Sequence, residues 1–568
     1  MFGLLISSRA GIMGGMTGIK NKFKKLGKNL ANIFPQELSP LFLMLNFLGI
    51  IGLRTFEDKF LASSSSPWED VMIELMHNFL FFSLTSLLVW LILSFFLKKK
   101  PRELISLVAW SNLLVLLPPL FDMVKTKGNV FWSFYLLSDI KTLFWQFLTI
   151  FGNLPTGIVY FGTKITFLVA IFLIMLVIYT KTRKIIKALS AGLVVYIALF
   201  LMGSFPSWFV FLAHMFQGKS PWEVNAITIV QFFGSPVEIL GFGTATLKYA
   251  FAYQIGMIFY MLLIFLAAAI FYLNNKEKFW AIIKNARFPQ LIYHLGLLIV
   301  GMGLGFWMYP QNWHSNLFSI LAISIVAINI VLAWLASVVF NDIYDYKIDI
   351  ISNSYRPLQK KIFTMEEYWQ LGIILFILSL IGSMTVSVFG FILLLAYQIV
   401  AWFYSAPPYR LKRFPLIATF FSAIASLLIL FLGFIMFSGE EKLAIFPWRI
   451  GFMFLFGLTL SLPMKDFRDI EGDRKDGVLT WPIILGYDLG AKAVGSGIFI
   501  SFVMSVFFLN ELKLFWWAVL FGGISFWIVN NPAWKGRMKK GELVGWILSA
   551  AMIYALVMAK ILFADMIK

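Results

Sequence analysis

Fifteen apolar runs, most of them close to the roughly 20 residues that a helix needs to cross a bilayer, leave this chain few architectures to adopt. In hydrocarbon every backbone N–H and C=O needs a partner within its own segment, so such runs fold as α-helices. Six lie in the first half, near 39–55, 76–97, 103–123, 157–180, 188–212 and 248–273. Nine more follow, near 289–308, 316–340, 367–386, 388–404, 414–437, 445–464, 488–509, 513–530 and 543–563. The stretches 130–150 and 225–245 are apolar but broken by Lys, Gly and Pro, and they read as interfacial or re-entrant. The expected fold is an all-α polytopic membrane protein in two domains, residues 1–283 and 284–568, divided at the polar stretch 274–287.

Composition agrees with that reading. Only 13% of the 568 residues are charged, against about 25% in soluble domains, and mean hydropathy is +0.84. The 62 Phe, 20 Trp and 19 Tyr suit lipid-facing helices and interfacial belts. Cysteine is absent, which excludes disulfides, a thiol nucleophile and Cys-based metal sites. His77, His214, His294 and His314 are scattered without metal-ligand spacing and read as packing or interfacial residues. The net charge of +19 sits in short loops between runs, the pattern of topology signals facing anionic lipid, so no nucleic-acid partner is expected. The start of the chain, with Arg9 inside a weakly apolar stretch, lacks the order of a secretory signal. Lys20, Lys22, Lys24, Lys25 and Lys28 then form a basic segment suited to a membrane surface.

The loops set orientation. Those at 20–28, 98–102, 181–187 and 276–287 are basic and fall on one side if the first half crosses six times. In the second half 309–315 and 383–390 carry no Lys or Arg, whereas 347–361, 410–413, 465–475 and 535–540 are basic. By the positive-inside rule the basic side is the cytoplasm.

Two acid clusters stand on that side. Asn341-Asp342-Ile343-Tyr344-Asp345 continues to Asp349, and Asp466, Asp469 and Asp473 form the second set. At about 100° per residue, Asp342, Asp345 and Asp349 share an arc of roughly 60°, as do Asp466, Asp469 and Asp473. Carboxylates this dense at a bilayer edge are costly, and a functional site is the default reading. They would repel unless a cation lay between them. Mg2+ suits an all-oxygen donor set completed by phosphate oxygens. Arg356, Arg410, Lys412, Lys465, Arg474 and Lys475 in the same loops are the complementary phosphate-binding groups.

These residues resemble the signatures of the UbiA superfamily of intramembrane prenyltransferases. The first is Asn341-Asp342-x-x-Asp345-x-x-x-Asp349 followed by Asn353-Ser354-Tyr355-Arg356-Pro357-Leu358, and the second runs from Lys465 to Gly477. Between them, Tyr404-Ser405-Ala406-Pro407-Pro408-Tyr409-Arg410-Leu411-Lys412 resembles the family's connecting loop, and Arg287-Phe288-Pro289 the start of its first helix. The resemblance implies a nine-helix bundle over residues 284–568, preceded by a separate membrane domain of about six helices. It implies transfer of a polyprenyl group from its diphosphate to an acceptor, a quinone-precursor aromatic or a lipid-like alcohol, with Mg2+ as cofactor. Asp342, Asp345 and Asp349 would serve one metal, and Asp466, Asp469 and Asp473 the other. Asn341, Arg356, Tyr404, Arg410, Lys412, Lys465 and Arg474 would hold the diphosphate. Gln359-Lys360-Lys361 departs from the Pro- and Gly-containing run common after Arg-Pro in the family, which leaves the acceptor open. The first half carries no comparable motif and is only faintly similar to Yip-family membrane domains. Its acids Glu69, Asp70, Glu74, Asp122 and Asp139 show no paired spacing beside a cation cluster, and it reads as a scaffold or lipid-delivery module.

Other readings fare less well. A CDP-alcohol phosphatidyltransferase needs Asp-Gly-x-x-Ala-Arg, but here Asp476-Gly477 leads into Val478-Leu479-Thr480-Trp481. A transporter would place its acids in mid-bilayer rather than at the ends of runs. A silent scaffold would not be expected to keep both acid motifs intact.

Overall fold

The computed structural model describes residues 38–61, 71–126, 135–152, 161–235, 237–242, 247–439, 443–444, 446–468, 470–475, 477–532 and 542–562. Among these the chain is helical with no β-strand, and fifteen helical stretches are long and apolar enough to cross a membrane. The basic segment at 20–28, the acids Glu69 and Asp70, and the loop 535–540 lie outside the described residues.

Contacts divide the chain into two units, residues 1–237 with 245–276, and residues 238–244 with 277–568. The division falls at the start of the amphipathic helix Lys276–Lys284 rather than after it. The short segment 238–244 belongs with the second unit. Gly241 there lies so near the Phe437 carbonyl that a Cβ would sit 2.2 Å from its oxygen.

The first unit contains α1 (Pro40–Leu61), α2 (Val71–Leu97), α3 (Pro101–Lys125), α4 (Phe161–Thr182), α5 (Ile185–Gly203) and α6 (Tyr249–Asn274). The single run expected at 188–212 is divided. α5 stops at Gly203 and a separate helix, Phe205–Phe216, starts with Pro206, whose missing N–H suits a helix start and not an interior. α3 is a relay of short α and 3-10 pieces, with Pro118 and Pro119 in its last one. Among the described residues the stretches 130–150 and 225–245 contribute the short helices Ile140–Leu148 and Ala226–Gly234 and the 3-10 turn Leu240–Phe242.

The second unit contains α7 (Phe288–Met308), α8 (Leu317–Tyr344), α9 (Met365–Met384), α10 (Val388–Ser405), α11 (Ile417–Ser438), α12 (Trp448–Phe467), α13 (Tyr487–Leu509), α14 (Leu512–Asn530) and α15 (Leu543–Leu562). α7 and α11 cross at bare backbone: a Cβ on Gly301 would meet the Leu430 carbonyl oxygen at 2.0 Å, and one on Gly433 the Leu298 oxygen at 2.2 Å. Because successive helices alternate in direction, the start of α7 and the ends of α8, α10 and α12 converge on one end of the unit. Those are the segments that carry the acid and basic motifs.

Candidate active site

The first acid cluster departs from a single helical face. α8 ends at Tyr344, Asp345 sits at φ −95° and ψ 10°, and a second helix, Tyr346–Ser352, carries Asp349. Across this interruption Asp342 and Asp349 share Arg356, while Asp345 has its own partners. Asp342 is completely buried and accepts from four groups: Arg287 Nη2 at 2.5 Å, Arg356 Nη1 at 2.9 Å, Asn285 Nδ2 at 2.7 Å and the Tyr368 hydroxyl at 3.2 Å. Asp349 pairs with the same Arg356 nitrogen and accepts from Asn353 Nδ2 at 2.9 Å. Asp345 pairs with Lys412 and with Arg410 Nη2 at 3.1 Å. Asn341 accepts from Ser405 Oγ at 3.0 Å and faces Lys412 Nζ at 3.5 Å.

Burial and charge compete at these carboxylates. Burial pushes the Asp349 carboxyl up, to about 6, in spite of Arg356 beside it. At Asp345 burial acts in the same sense, but Lys412 and Arg410 outweigh it and hold the carboxyl below its ordinary range. Arg287 and Arg410 both occupy left-handed backbone, at φ 52° and 42°. For a non-glycine residue that costs of order 1–3 kcal/mol and persists where surrounding contacts enforce it. Both side chains end on carboxylates of the cluster.

The second cluster is built from the 3-10 turn Leu462–Arg468 and the short helix Ile470–Lys475. Asp469 lies outside the described residues. Lys465 Nζ donates to the Tyr404 hydroxyl at 2.9 Å and stands 4.9 Å from the centre of that ring. The following loop is tied down by Val478 N–H to the Asp473 carbonyl at 2.9 Å and Leu479 N–H to the Arg413 carbonyl at 3.0 Å.

One cavity of about 510 Å³ joins the two clusters. Asn341, Asp345 and Asp349 line it from one side, Asp466 and Asp473 from another, with Arg356, Lys412, Lys465 and Tyr404 between. Asp342, Arg410 and Arg474 are not on its wall; Asp342 lies behind Arg356, and Arg474 is exposed. Asp342 shares Arg356 Nη1 with Asp349, so it stays beside the cluster while Asp345 and Asp349 line the cavity. Among the described residues no three acidic or imidazole groups converge tightly enough to hold a metal ion. The donor set is nonetheless that of a hard cation: carboxylate and amide oxygens, with no thiolate or imidazole at this end. Asp349, raised by burial, is the carboxylate with the most to gain from one.

Deeper in the cavity the wall turns aromatic and hydroxylic, with Tyr293, His294, Trp334, Tyr397 and Ser426. Tyr293 donates to Ser426 Oγ at 2.8 Å. His294 Nδ1 lies 2.7 Å from the Gln290 carbonyl, which can only accept, so Nδ1 carries the proton and Nε2 the lone pair. Nε2 is 3.4 Å from the Tyr397 hydroxyl. Read from the sequence as packing, His294 belongs to the cavity, about 10 Å along α7 from Arg287 at 1.5 Å per residue. Asn285, Arg287, Tyr368 and Ser405 were likewise not singled out as site residues. Arg287 was legible only as a helix-start motif, and the other three join the cluster from distant positions in the chain.

The fold and cavity define a membrane-embedded helical bundle whose acids and cations meet at one end of an aromatic pocket. Residues 295–561, within the second unit, match the UbiA prenyltransferase family. Among curated relatives, the digeranylgeranylglyceryl phosphate synthase of Methanobrevibacter smithii is 28% identical over 200 residues, 32% of this chain and 69% of that protein. The chloroplastic 2-acyl-4-prenylphloroglucinol 6-prenyltransferase of Humulus lupulus is 30% identical over 28% of this chain and 41% of its own length. For the probable homogentisate phytyltransferase 2 of Oryza sativa subsp. japonica the figures are 31%, 28% and 44%. The chain thus spans from two fifths to two thirds of these relatives' length. A solved structure of a UbiA homolog from Archaeoglobus fulgidus, bound to DMAPP and Mg2+, aligns with a TM-score of 0.38 at 19% identity, over 48% of this chain and 94% of that one.

Proposed function

We propose that the second unit transfers a polyprenyl group from a polyprenyl diphosphate to the hydroxyl of a lipid-like alcohol, with Mg2+, at a site facing the cytoplasm. The observation that carries this reading is the single cavity in which two carboxylate sets, five cations and an aromatic wall share one space. Digeranylgeranylglyceryl phosphate synthases recur among the relatives, which favours an alcohol acceptor over an aromatic one.

Asn341, Asp345 and Asp349 would hold one metal ion, and Asp466, Asp473 and Asp469 the other. Bound Mg2+ would supply the positive charge that draws the diphosphate in and eases its departure. Asp342 acts by fixing Arg287 and Arg356. Arg356, Lys412 and Lys465 bind the diphosphate oxygens, while Arg410 orients Asp345 and Tyr404 orients Lys465. The bond from the allylic carbon to the diphosphate oxygen breaks, and the acceptor oxygen bonds to that carbon. The electron-rich faces of Trp334 and Tyr397 stabilise developing positive charge. His294 Nε2 takes the hydroxyl proton and gives it up to water once the product and the diphosphate have left. The basic loops at 347–361 and 410–413 support the cytoplasmic orientation.

The test is turnover of labelled geranylgeranyl diphosphate by the full-length protein with geranylgeranylglyceryl phosphate or homogentisate as acceptor. Mg2+-dependent ether formation with the first is expected, and Asp345→Asn and Asp466→Asn should abolish it. Undiminished turnover in either variant refutes the assignment, and transfer to homogentisate alone refutes the choice of acceptor.

A further inference from the structure

The first unit buries more polarity than a scaffold needs. Arg54, in α1, is only 6% exposed; its Nε donates to Asp58 at 2.8 Å and its Nη1 to the Val115 carbonyl at 2.7 Å. Asn78 Nδ2 reaches Thr55 Oγ1 at 3.1 Å, and the Asp122 carboxylate accepts from Gly162 N–H at 2.7 Å. Charged groups kept at membrane depth mark functional positions by default.

Beside this cluster lies a cavity of about 420 Å³, within the size range of small-ligand sites. Its lining is amphiphilic end to end. Arg54, Thr163 and Thr166 stand at one end, and Leu93, Leu107 and Val177 at the other. On α2 it runs from Phe81 to Leu93, about 18 Å at 1.5 Å per residue. An elongated, largely apolar space of that length suits an extended hydrocarbon chain.

The polar end specifies the head. Thr166 is 6% exposed, lines the cavity, and its Oγ1 has no hydrogen-bond partner among the described residues. A buried hydroxyl left in that condition is costly, and a ligand oxygen would relieve it. Arg54 is already ion-paired with Asp58, and Asp122 lies within its electrostatic reach. An anionic head would find its cation neutralised and three carboxylates nearby, Glu57, Asp58 and Asp122, whereas a neutral hydroxyl can donate to Thr166 and accept from the remaining guanidinium hydrogens.

We propose that this cavity binds a neutral single-chain lipid alcohol, with its hydroxyl between Arg54 and Thr166 and its chain directed toward Leu93 and Val177. The test uses the full-length protein in phosphatidylcholine nanodiscs with diazirine-tagged geranylgeraniol as probe. Photolabel should map by mass spectrometry to α2 and α4, and excess geranylgeraniol should compete it away. Thr166→Val, which keeps the shape and removes the hydroxyl, should weaken binding about 3- to 10-fold, the worth of one hydrogen bond. Ala170→Trp, which fills the middle of the cavity, should abolish labelling while leaving the circular-dichroism melting curve in place. Labelling unchanged in Thr166→Val overturns the assignment of the head. Equal competition by geranylgeranyl phosphate overturns the neutral-head argument, and label mapping outside α2 and α4 overturns the site.

Discussion

Replacing Asp342 by Asn separates two roles that the first acid motif could give it. In the structure this carboxylate has no exposure and gathers four donors, two of them guanidinium groups. Asn keeps the volume but removes the charge and turns one acceptor into a donor facing Arg, Asn and Tyr donors. Breaking a buried ion pair by neutralising one partner costs about 3–5 kcal/mol, because the other charge stays buried. Arg287, 26% exposed at its side chain, can recover some water; Arg356, at 10%, cannot, and keeps only Asp349. The loss should fall near the lower end, about 3 kcal/mol. At roughly 2 °C per kcal/mol for a unit of this size, the thermal midpoint should drop by about 6 °C.

The discriminating measurement is metal affinity, not stability. If Asp342 only anchors the arginines, the Mn2+ affinity of the folded variant, read by paramagnetic broadening at low temperature, should stay within about 3-fold of the unmodified protein. Asp345→Asn and Asp349→Asn should lower it more than 10-fold, because each removes a ligand that cannot be replaced from this cavity. An Asp342→Asn protein as stable as the parent, or one that loses metal as severely as Asp345→Asn, would refute the anchoring role.

His294→Ala should lower transfer by about 100-fold, the low end for a lost general base. Added imidazoles should restore it in order of their basicity; equal rescue by an apolar filler of the same size would reduce His294 to packing. Gly433→Ala places a methyl 2.2 Å from the Leu298 carbonyl oxygen and must part α7 from α11. It should cost about 1–3 kcal/mol in unfolding measurements, and an unchanged melting curve would contradict that close crossing. Binding of Mg2+ and of a non-reactive geranylgeranyl thiolodiphosphate should each raise the affinity for the other by one common factor, measurable by calorimetry. Independent binding would mean that the two ligands do not share the cavity.

The helices were legible because a bilayer demands long apolar runs, and hydropathy alone locates them. Where the reading failed, the cause was local backbone. Pro206 divides the run at 188–212, and the helix is interrupted at Asp345, which an ideal helical projection does not show. The acids were conspicuous because carboxylates at a membrane edge are rare. Their companions were not, since Asn285, Tyr368 and Ser405 are ordinary polar residues until folding brings them within 3.2 Å of the cluster. His294 was passed over for lack of a ligand motif, although what matters is the pairing of its Nδ1 one turn back along its own helix. In the first unit, Asp58 follows Arg54 by one helical turn, a spacing visible in the sequence, but only the fold sets Asp122 and Thr166 beside them.

The charge arrangement of the first cluster explains how one motif can serve both a metal and an anion. Three carboxylates there meet four cations, Arg287, Arg356, Arg410 and Lys412. In this pairing each carboxylate finds a donor and each cation an acceptor, which offsets the cost of taking the charges out of water. It is also a poised arrangement. On the proposed reading, Asp345 and Asp349 would hold a divalent ion in place of Lys412 and Arg356, and those freed cations would bind the diphosphate in the same cavity. Asp342 stands outside the exchange, because it lies off the cavity wall with Arg287, Asn285 and Tyr368 to hold it. One fixed carboxylate behind two exchangeable ones keeps Arg356 in place while its other partner changes. The three aspartates of one motif thus differ in their surroundings: Asp342 and Asp349 share Arg356, while Asp345 faces Lys412 and Arg410.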